Sequence, residues 1–345
     1  MAYPFIIALL AIAFTALTIY TLRHKAHLIG YVDKPDERKL HQGIVPKIGG
    51  VAMTLVFLIF LTVSEIDEWH SIAHPCASLL LIVLIGILDD LYHWGPVKQF
   101  LAQLLAVGVA VFTQHLEIQS LGPLFGPQIV MLHPPWNMMF TAIAIVGTIN
   151  AINMIDGMDG LAGSLSLIFF IFFGLLGFIS GHHLVVTISI LASAVVLGFL
   201  LFNFPGAPFH KTRRIFMGDA GSSLLGFILA WLAIELTSNP ASNIILPMSL
   251  VWVIALPLID MSSVMLLRIL KKQHAGQPDN LHIHFVLKRL GYEDVKVIRI
   301  LGLASITFGI LAIAPLYFGI KESDLFYAFL CLNILFFCFT LRLRP

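Results

Sequence analysis

Hydrophobic residues in this chain come in long unbroken runs. They lack the three-to-four or every-second spacing that gives a helix or strand one wet face. A helix crossing the hydrocarbon core of a bilayer needs about 20 mostly apolar residues. Runs of that order fall near 3–22, 48–63, 72–88, 98–114, 137–153, 164–180, 184–203, 222–238, 244–265, 296–316 and 324–341. The pattern predicts an all-α integral membrane protein with about eleven transmembrane helices. The second and third runs are short, and Gly49 and Gly50 at the start of the second suit close helix packing. No positive stretch or small-residue cleavage pattern accompanies the first run. Its charges, Arg23 and Lys25, follow it, so a retained first span is expected.

Composition strengthens the membrane reading. Of 345 residues, 59% are hydrophobic and 11% are charged, against about 25% charged in a soluble domain. No polar run is long enough for a separate soluble unit, so residues 1–345 are expected to form one polytopic membrane domain. A formal charge of +1 gives no reason to expect nucleic acid. Cys76, Cys331 and Cys338 lie in apolar runs without metal-binding spacing and read as packing residues.

Charge distribution then orients the chain. With eleven spans, the clusters around Arg23–Lys47, Lys98, Lys211–Arg214, Arg268–Arg299 and Arg342–Arg344 all fall on one side, leaving Lys321 opposite. The excess of Lys and Arg in cytoplasmic loops places the N-terminus outside and the C-terminus inside. The opposite loops fit: residues 65–68 are acidic, and 117–136 carry no Lys or Arg but several Pro and Gly, suggesting a short hairpin.

Polar chemistry collects on the same side. Residues 150–163 read NAINMIDGMDGLAG, with Asn150, Asn153, Asp156 and Asp159 at every third position and Gly157 and Gly160 after the acids. Steps of three drift around a straight helix, so the four side chains converge only if the helix ends or tightens, which the glycines permit. Two close carboxylates need protons or a cation, and an all-oxygen cluster suits Mg2+. Asp89-Asp90 end the third run, Phe216 to Ser222 with Asp219 open the eighth, and His282-Ile283-His284 follow the ninth. His41, Lys47, Arg213 and Arg214 surround the acids with fixed cations, the setting for phosphoryl transfer from a charged donor at a lipid surface. Each motif also has a plainer reading. Asp89-Asp90 could be a solvated helix end, Asp219 an ordinary helix cap, and His282 and His284 surface residues; Lys98 is an interfacial cation or a phosphate contact. Asp260 and Glu235, deeper in apolar runs, read as structural polar groups, with a transport role as the rival.

Taken together, Val32-Asp33-Lys34-Pro35 with Lys39-Leu40-His41, and residues 46–50, 86–90, 150–160, 216–222 and 282–284, resemble the polyprenyl-phosphate N-acetylhexosamine-1-phosphate transferase superfamily over nearly the whole chain. The resemblance implies a multi-pass protein of the bacterial inner membrane with its active site at the cytoplasmic face. It would transfer N-acetylglucosamine 1-phosphate, or a related N-acetylhexosamine 1-phosphate, from a UDP-sugar to undecaprenyl phosphate, releasing UMP. The segments Pro257-Leu258-Ile259-Asp260-Met261 and 278–284 look most like the branch that begins O-antigen or related surface polysaccharides. The branch making the peptidoglycan precursor, the alternative within the family, has three consecutive histidines, a run that Ile283 interrupts here. Two positions depart from the family's pattern in the sugar-recognition segment. Asn280 stands where Arg is usual and Phe285 where a further His is frequent, with Arg289 or Arg268 as candidate replacement cations.

By the same resemblance, Asp219 is the principal Mg2+ ligand, assisted by Asn153, with Mn2+ as a substitute ion. Asp89, with Asp90 beside it, handles the lipid phosphate, and Asn150, Asp156 and Asp159 organise nucleotide and metal. Lys98 holds phosphate charge, and His282 and His284 contact the donor. The expected partners are a UDP-N-acetylhexosamine, undecaprenyl phosphate and membrane lipid, with a homodimer as the candidate assembly. Direct attack by the lipid phosphate is expected over a phospho-enzyme, because a phosphate monoester is already a competent nucleophile. The non-enzyme rival, a secondary transporter, would place its polar groups near mid-membrane in repeated halves, and no repeat is visible.

Overall fold

The computed structural model describes residues 2–34, 43–65, 69–114, 116–238, 244–274 and 280–343. Lys39, Leu40 and His41 of the first motif lie outside the described residues, as do Pro278 and Asp279. The apolar runs become helices. The chain enters through α1 (Ala2–Ile29), and a two-residue ribbon of β1 (Val32–Asp33) and β2 (Val45–Pro46) leads to α2 (Gly49–Ser64), α3 (Trp69–Tyr92) and α4 (Pro96–Gln114). Then come α5 (Trp136–Ile155), α6 (Leu161–Ile179) and α7 (His183–Asn203), a short α8 (His210–Arg213), and α9 (Gly218–Ser238). The last third holds α10 (Pro247–Val253), α11 (Ala255–Leu270), α12 (Ile283–Arg289), α13 (Asp294–Ile313), α14 (Pro315–Phe318) and α15 (Glu322–Leu341).

Among the described residues, eight helices are long and apolar enough to cross a membrane, so the chain is a multi-pass membrane protein. The ninth apolar run is one feature in sequence and two in space: α10 and α11 meet at Ile254 with a 79° bend. The runs at 48–63 and 98–114 form α2 and α4, which are not among those eight. The loop at 117–136 does pair as a hairpin, with Ser120 bridging Met131 and Leu121 N donating to Val130 O at 2.9 Å.

The axis of the bundle is α9, with 83% of its apolar window buried. It packs against α2, α3 and α5 through positions with no room for a side chain. A Cβ on Gly50 would stand 2.1 Å from Gly221 N, and one on Gly86 2.6 Å from Asp219 O. Glycine there lets backbones meet, as small residues do where membrane helices associate. Large apolar side chains fill the remainder, with Trp231, Phe57, Phe169, Phe173 and Phe199 fully buried.

Backbone hydrogen bonds then fix the entry of α2 against the entry of α9. Phe216 N donates to Pro46 O at 2.8 Å, Gly49 N to Phe216 O at 3.0 Å and Gly50 N to Met217 O at 2.9 Å. The ribbon carries Lys47 back beside Tyr31, whose carbonyl accepts from Lys47 N at 3.2 Å. Segments separated by some 170 residues therefore meet at one end of the bundle, where α3 and α5 finish and α9 begins.

Candidate active site

At that end lies a cavity of about 530 Å³. One wall is acidic: Asp90 from α3, Asp156 beyond α5 and Asp219 from α9. Asp89 and Asp90 close α3 one turn beyond Gly86, so the glycine contact with α9 also sets the height of the acids against Asp219. The Asp89 and Asp219 carboxyls lie within hydrogen-bonding reach of each other, a juxtaposition that two anions hold only with a proton or a cation between them. Trp94 N donates to Asp89 Oδ1 at 2.7 Å, and Asn153 Nδ2 donates to Asp219 Oδ1 at 2.6 Å and to Ser222 Oγ at 3.2 Å.

Asp90 is held on all sides. Tyr31 Oη donates to its Oδ2 at 2.9 Å, Ala220 N to the same oxygen at 3.3 Å, and Lys47 Nζ stands 3.1 Å from Oδ1. Asp33 adds a second carboxylate 3.8 Å from Lys47 Nζ. Burial alone would lower the Lys47 pKa, but Asp90, Asp219 and Asp33 more than offset it, so its ammonium is held above the usual lysine range. Burial, reinforced by the charge of Asp90, raises the Tyr31 phenol and keeps it a donor. Lys47 is thus a fixed cation at the cavity wall.

The 156–160 turn supplies more of the lining. Helix α5 stops at Ile155, Asp156 N bonds Asn153 O at 3.2 Å, and Gly160 takes φ 76°, a left-handed conformation that suits glycine. Asn203 braces the turn by accepting from Gly160 N at 2.7 Å and donating to Ile215 O at 2.9 Å. Burial, with the charges of Asp219, Asp159 and Asp90, pushes Asp156 up to about 8. Asp159 faces His210 and Arg214: its Oδ2 accepts from His210 Nε2 at 2.8 Å and lies 2.6 Å from Arg214 Nε. Arg214 also stacks over the Phe216 ring at 4.9 Å. Asn280, Phe285, Lys288 and Asp294 also line it, and Lys288 Nζ pairs with Asp294 Oδ1 at 2.8 Å.

The structure brings Lys47, Asp90, Asn153, Asp156, Asp159, Arg214 and Asp219 to one cavity, with Asp89 touching it through Asp219. Asn150 is not among the lining residues. Helix α5 runs on past it, and its amide donates instead to Gln103 Oε1 and Val146 O, both at 2.8 Å. Lys98 is exposed and its ammonium covers the Trp94 ring at 4.1 Å, away from the lining. His282 and His284 stand behind the wall, 5% and 0% exposed. Burial pushes His284 down to about 3, so it stays neutral.

Five contributors had no separate place in the sequence reading: Tyr31, Asn203, His210, Lys288 and Asp294. Tyr31 directly precedes the Val32-Asp33 motif, and His210 opens the basic run that ends at Arg214, which are the signals available for them. The acids within spans have protein partners. Asp260 accepts from His282, Glu235 Oε1 accepts from Trp231 Nε1 at 2.9 Å, and Glu322 Oε1 accepts from Met248 N at 2.6 Å.

Comparison with known proteins agrees with this architecture. Residues 72–237, which carry Asp89 through Asp219, match the profile described as Glycosyl transferase family 4. The chain is 32% identical over 323 residues to the undecaprenyl-phosphate alpha-N-acetylglucosaminyl 1-phosphate transferase of Haemophilus influenzae, covering 93% of this chain and 89% of that protein. Proteins of the same name from Salmonella typhi and Escherichia coli K12 are 32% and 33% identical over 293 and 294 residues, each match covering 85% of this chain and 78% of the relative. A membrane bundle that gathers these acids beside fixed cations, matched along most of its length by such relatives, belongs to glycosyl transferase family 4.

Proposed function

We propose that this protein transfers N-acetylglucosamine 1-phosphate from UDP-N-acetylglucosamine to undecaprenyl phosphate, releasing UMP; the names of its relatives give N-acetylglucosaminyl 1-phosphate as the group and undecaprenyl phosphate as the acceptor for them. The observation that carries the reading is the cavity itself. Carboxylates on one side and Arg214, Lys288 and Lys47 around them suit a diphosphate neutralised partly by protein cations and partly by a metal ion.

The residues present fit Mg2+. Among the described residues, no three of His, Cys, Asp or Glu form a ready cage. Mg2+ is commonly held by one or two carboxylates, with substrate phosphates and water completing its shell. The facing Asp89 and Asp219 carboxyls offer that pair, and Asp156 adds a third oxygen donor nearby. When bound, the ion would withdraw charge from the diphosphate and make its phosphorus a better electrophile.

The protein's own part is positioning. Lys47, locked by Asp90, Tyr31 and Asp33, would hold the acceptor phosphate against the acidic wall. Arg214, braced by Asp159 and Phe216, would hold donor phosphate charge on the far side. An acceptor phosphate oxygen bonds to the sugar-bearing phosphorus as that phosphorus releases the bridging oxygen, and UMP leaves with the electron pair. A phosphate monoester has its second pKa near 6, so it is already largely a dianion at neutral pH. Orientation and charge cancellation suffice, which favours direct attack over a phospho-Asp.

We further infer that α2, α4 and the bent α10–α11 pair cross the membrane with the eight long helices, giving eleven spans. The excess of Lys and Arg in the loops on that side supports a cavity facing the cytoplasm from the inner membrane, where nucleotide sugars and the lipid head group would meet. Offering purified protein a panel of UDP-N-acetylhexosamines with undecaprenyl phosphate tests the function. The expected lipid product carries N-acetylglucosamine 1-phosphate; a product from another sugar alone would overturn the donor assignment.

A further inference from the structure

Asp260 is an acid inside an apolar helix, 1% exposed, on α11 shortly after the 79° bend. Both of its oxygens meet the same neighbour. His282 Nδ1 donates to Oδ2 at 2.7 Å, and Ile283 N donates to Oδ1 at 3.0 Å. Asp260 therefore grips α12 at its first turn, across a connection of 22 residues.

What α12 carries explains why that grip matters. The His282 ring stacks on His284, 5.9 Å away and 7° from parallel, and His284 lies 4.2 Å from the Phe285 ring. A Cβ on Gly157 would stand 2.0 Å from His284 Nε2, so the imidazole presses directly on the turn that carries Asp156. Neither ring nitrogen of His284 has a hydrogen-bond partner among the described residues. Packing, and whatever anchors α12, therefore set its position. Phe285 and Lys288, on the same short helix, line the same cavity as Lys47 and Asp90.

We infer that Asp260 is a positioning residue for the donor. By holding His282 and the start of α12, it fixes Phe285 and Lys288 in the cavity wall, with Lys288 also paired to Asp294 of α13, and seats His284 against Gly157. The acceptor side, built on α2, α3 and the ribbon, does not depend on it. This assignment rests on the proposed transferase reading for the identity of the donor, but not for the placement of α12.

Asp260→Leu tests it, because an apolar side chain of similar size offers neither His282 Nδ1 nor Ile283 N a partner. Hydrogen exchange on the full-length protein reads the positioning without turnover. Amides 283–288 should exchange at least about tenfold faster in the variant, while those of α13 stay as in wild type. In turnover, the KM for UDP-N-acetylglucosamine should rise about tenfold with the KM for undecaprenyl phosphate unchanged, the signature of lost donor binding. His282→Ala should do the same, and the double variant should be no worse than either single, as for residues acting as one unit. Ser263→Ala, on the same helix, controls for general packing damage and should leave both KM values unchanged. Unchanged exchange at 283–288 in Asp260→Leu, or equal loss toward donor and acceptor, would overturn the inference. Absence of product with wild type, alongside the expected exchange change, would instead count against the transferase reading.

Discussion

Replacing Gly86 with alanine puts a methyl carbon 2.6 Å from Asp219 O and 2.7 Å from Ala220 N and Cα, all main-chain atoms of α9. An ordinary contact begins near 3.4 Å, so α3 must retreat from α9 by about 0.8 Å, because a backbone cannot rotate away as a side chain can. Overpacking of this kind costs about 1–3 kcal/mol of stability. The larger effect falls on chemistry. Asp90 lies one turn along α3, and its partners Lys47 and Ala220 sit on the surfaces being pushed apart. A displacement near 1 Å in a positioned reacting group can cost about a hundredfold in rate. Gly86→Ala is therefore expected to fold in membranes with a modestly lower melting temperature and to lose about a hundredfold in turnover. UMP release per folded molecule, beside thermal unfolding in detergent, measures both. Turnover within threefold of wild type in a normally folded variant would refute the argument that helix contact sets the spacing of the acids.

Other outcomes follow from the same geometry. Asp219→Asn should lower turnover by about a hundredfold or more, the scale of losing a principal electrostatic group, as read by UMP release at saturating Mg2+. Lys47→Met leaves the Asp90 side chain, 1% exposed, without its cation and should destabilise by about 3 kcal/mol; adding Asp90→Asn should recover stability in thermal melts but not activity. Asp156 has its folded pKa raised to about 8, above an unfolded value near 4, so the folded state binds the extra proton between those values. Its contribution to stability is present below about pH 4 and is lost as pH rises toward 8, and Asp156→Asn should flatten that part of the melting-temperature profile in metal-free buffer.

The membrane class and the end of the bundle where chemistry collects were legible because apolar run length and acids at run ends are local signals. Gly157 and Gly160 marked the end of α5 correctly. Convergence of all four polar residues at 150–159 did not follow, because the helix persists to Ile155 and carries Asn150 round to Gln103. The bend at Ile254 was hidden inside a continuous apolar run, and only the fold shows Asp260 reaching His282 across it. Tyr31 and His210 were silent for a related reason. A tyrosine before a ribbon or a histidine in a basic loop acquires meaning only when Asp90 or Asp159 arrives from a distant segment.

The central claim is that distant segments meet to join a nucleotide sugar to a lipid phosphate with the help of a divalent ion. Its most direct measurement is UMP release by the purified protein with UDP-N-acetylglucosamine, omitting in turn undecaprenyl phosphate and Mg2+. The account predicts stoichiometric UMP and lipid-linked sugar phosphate only when both are present. UMP formed equally well without the lipid, or undiminished in chelator, would contradict it.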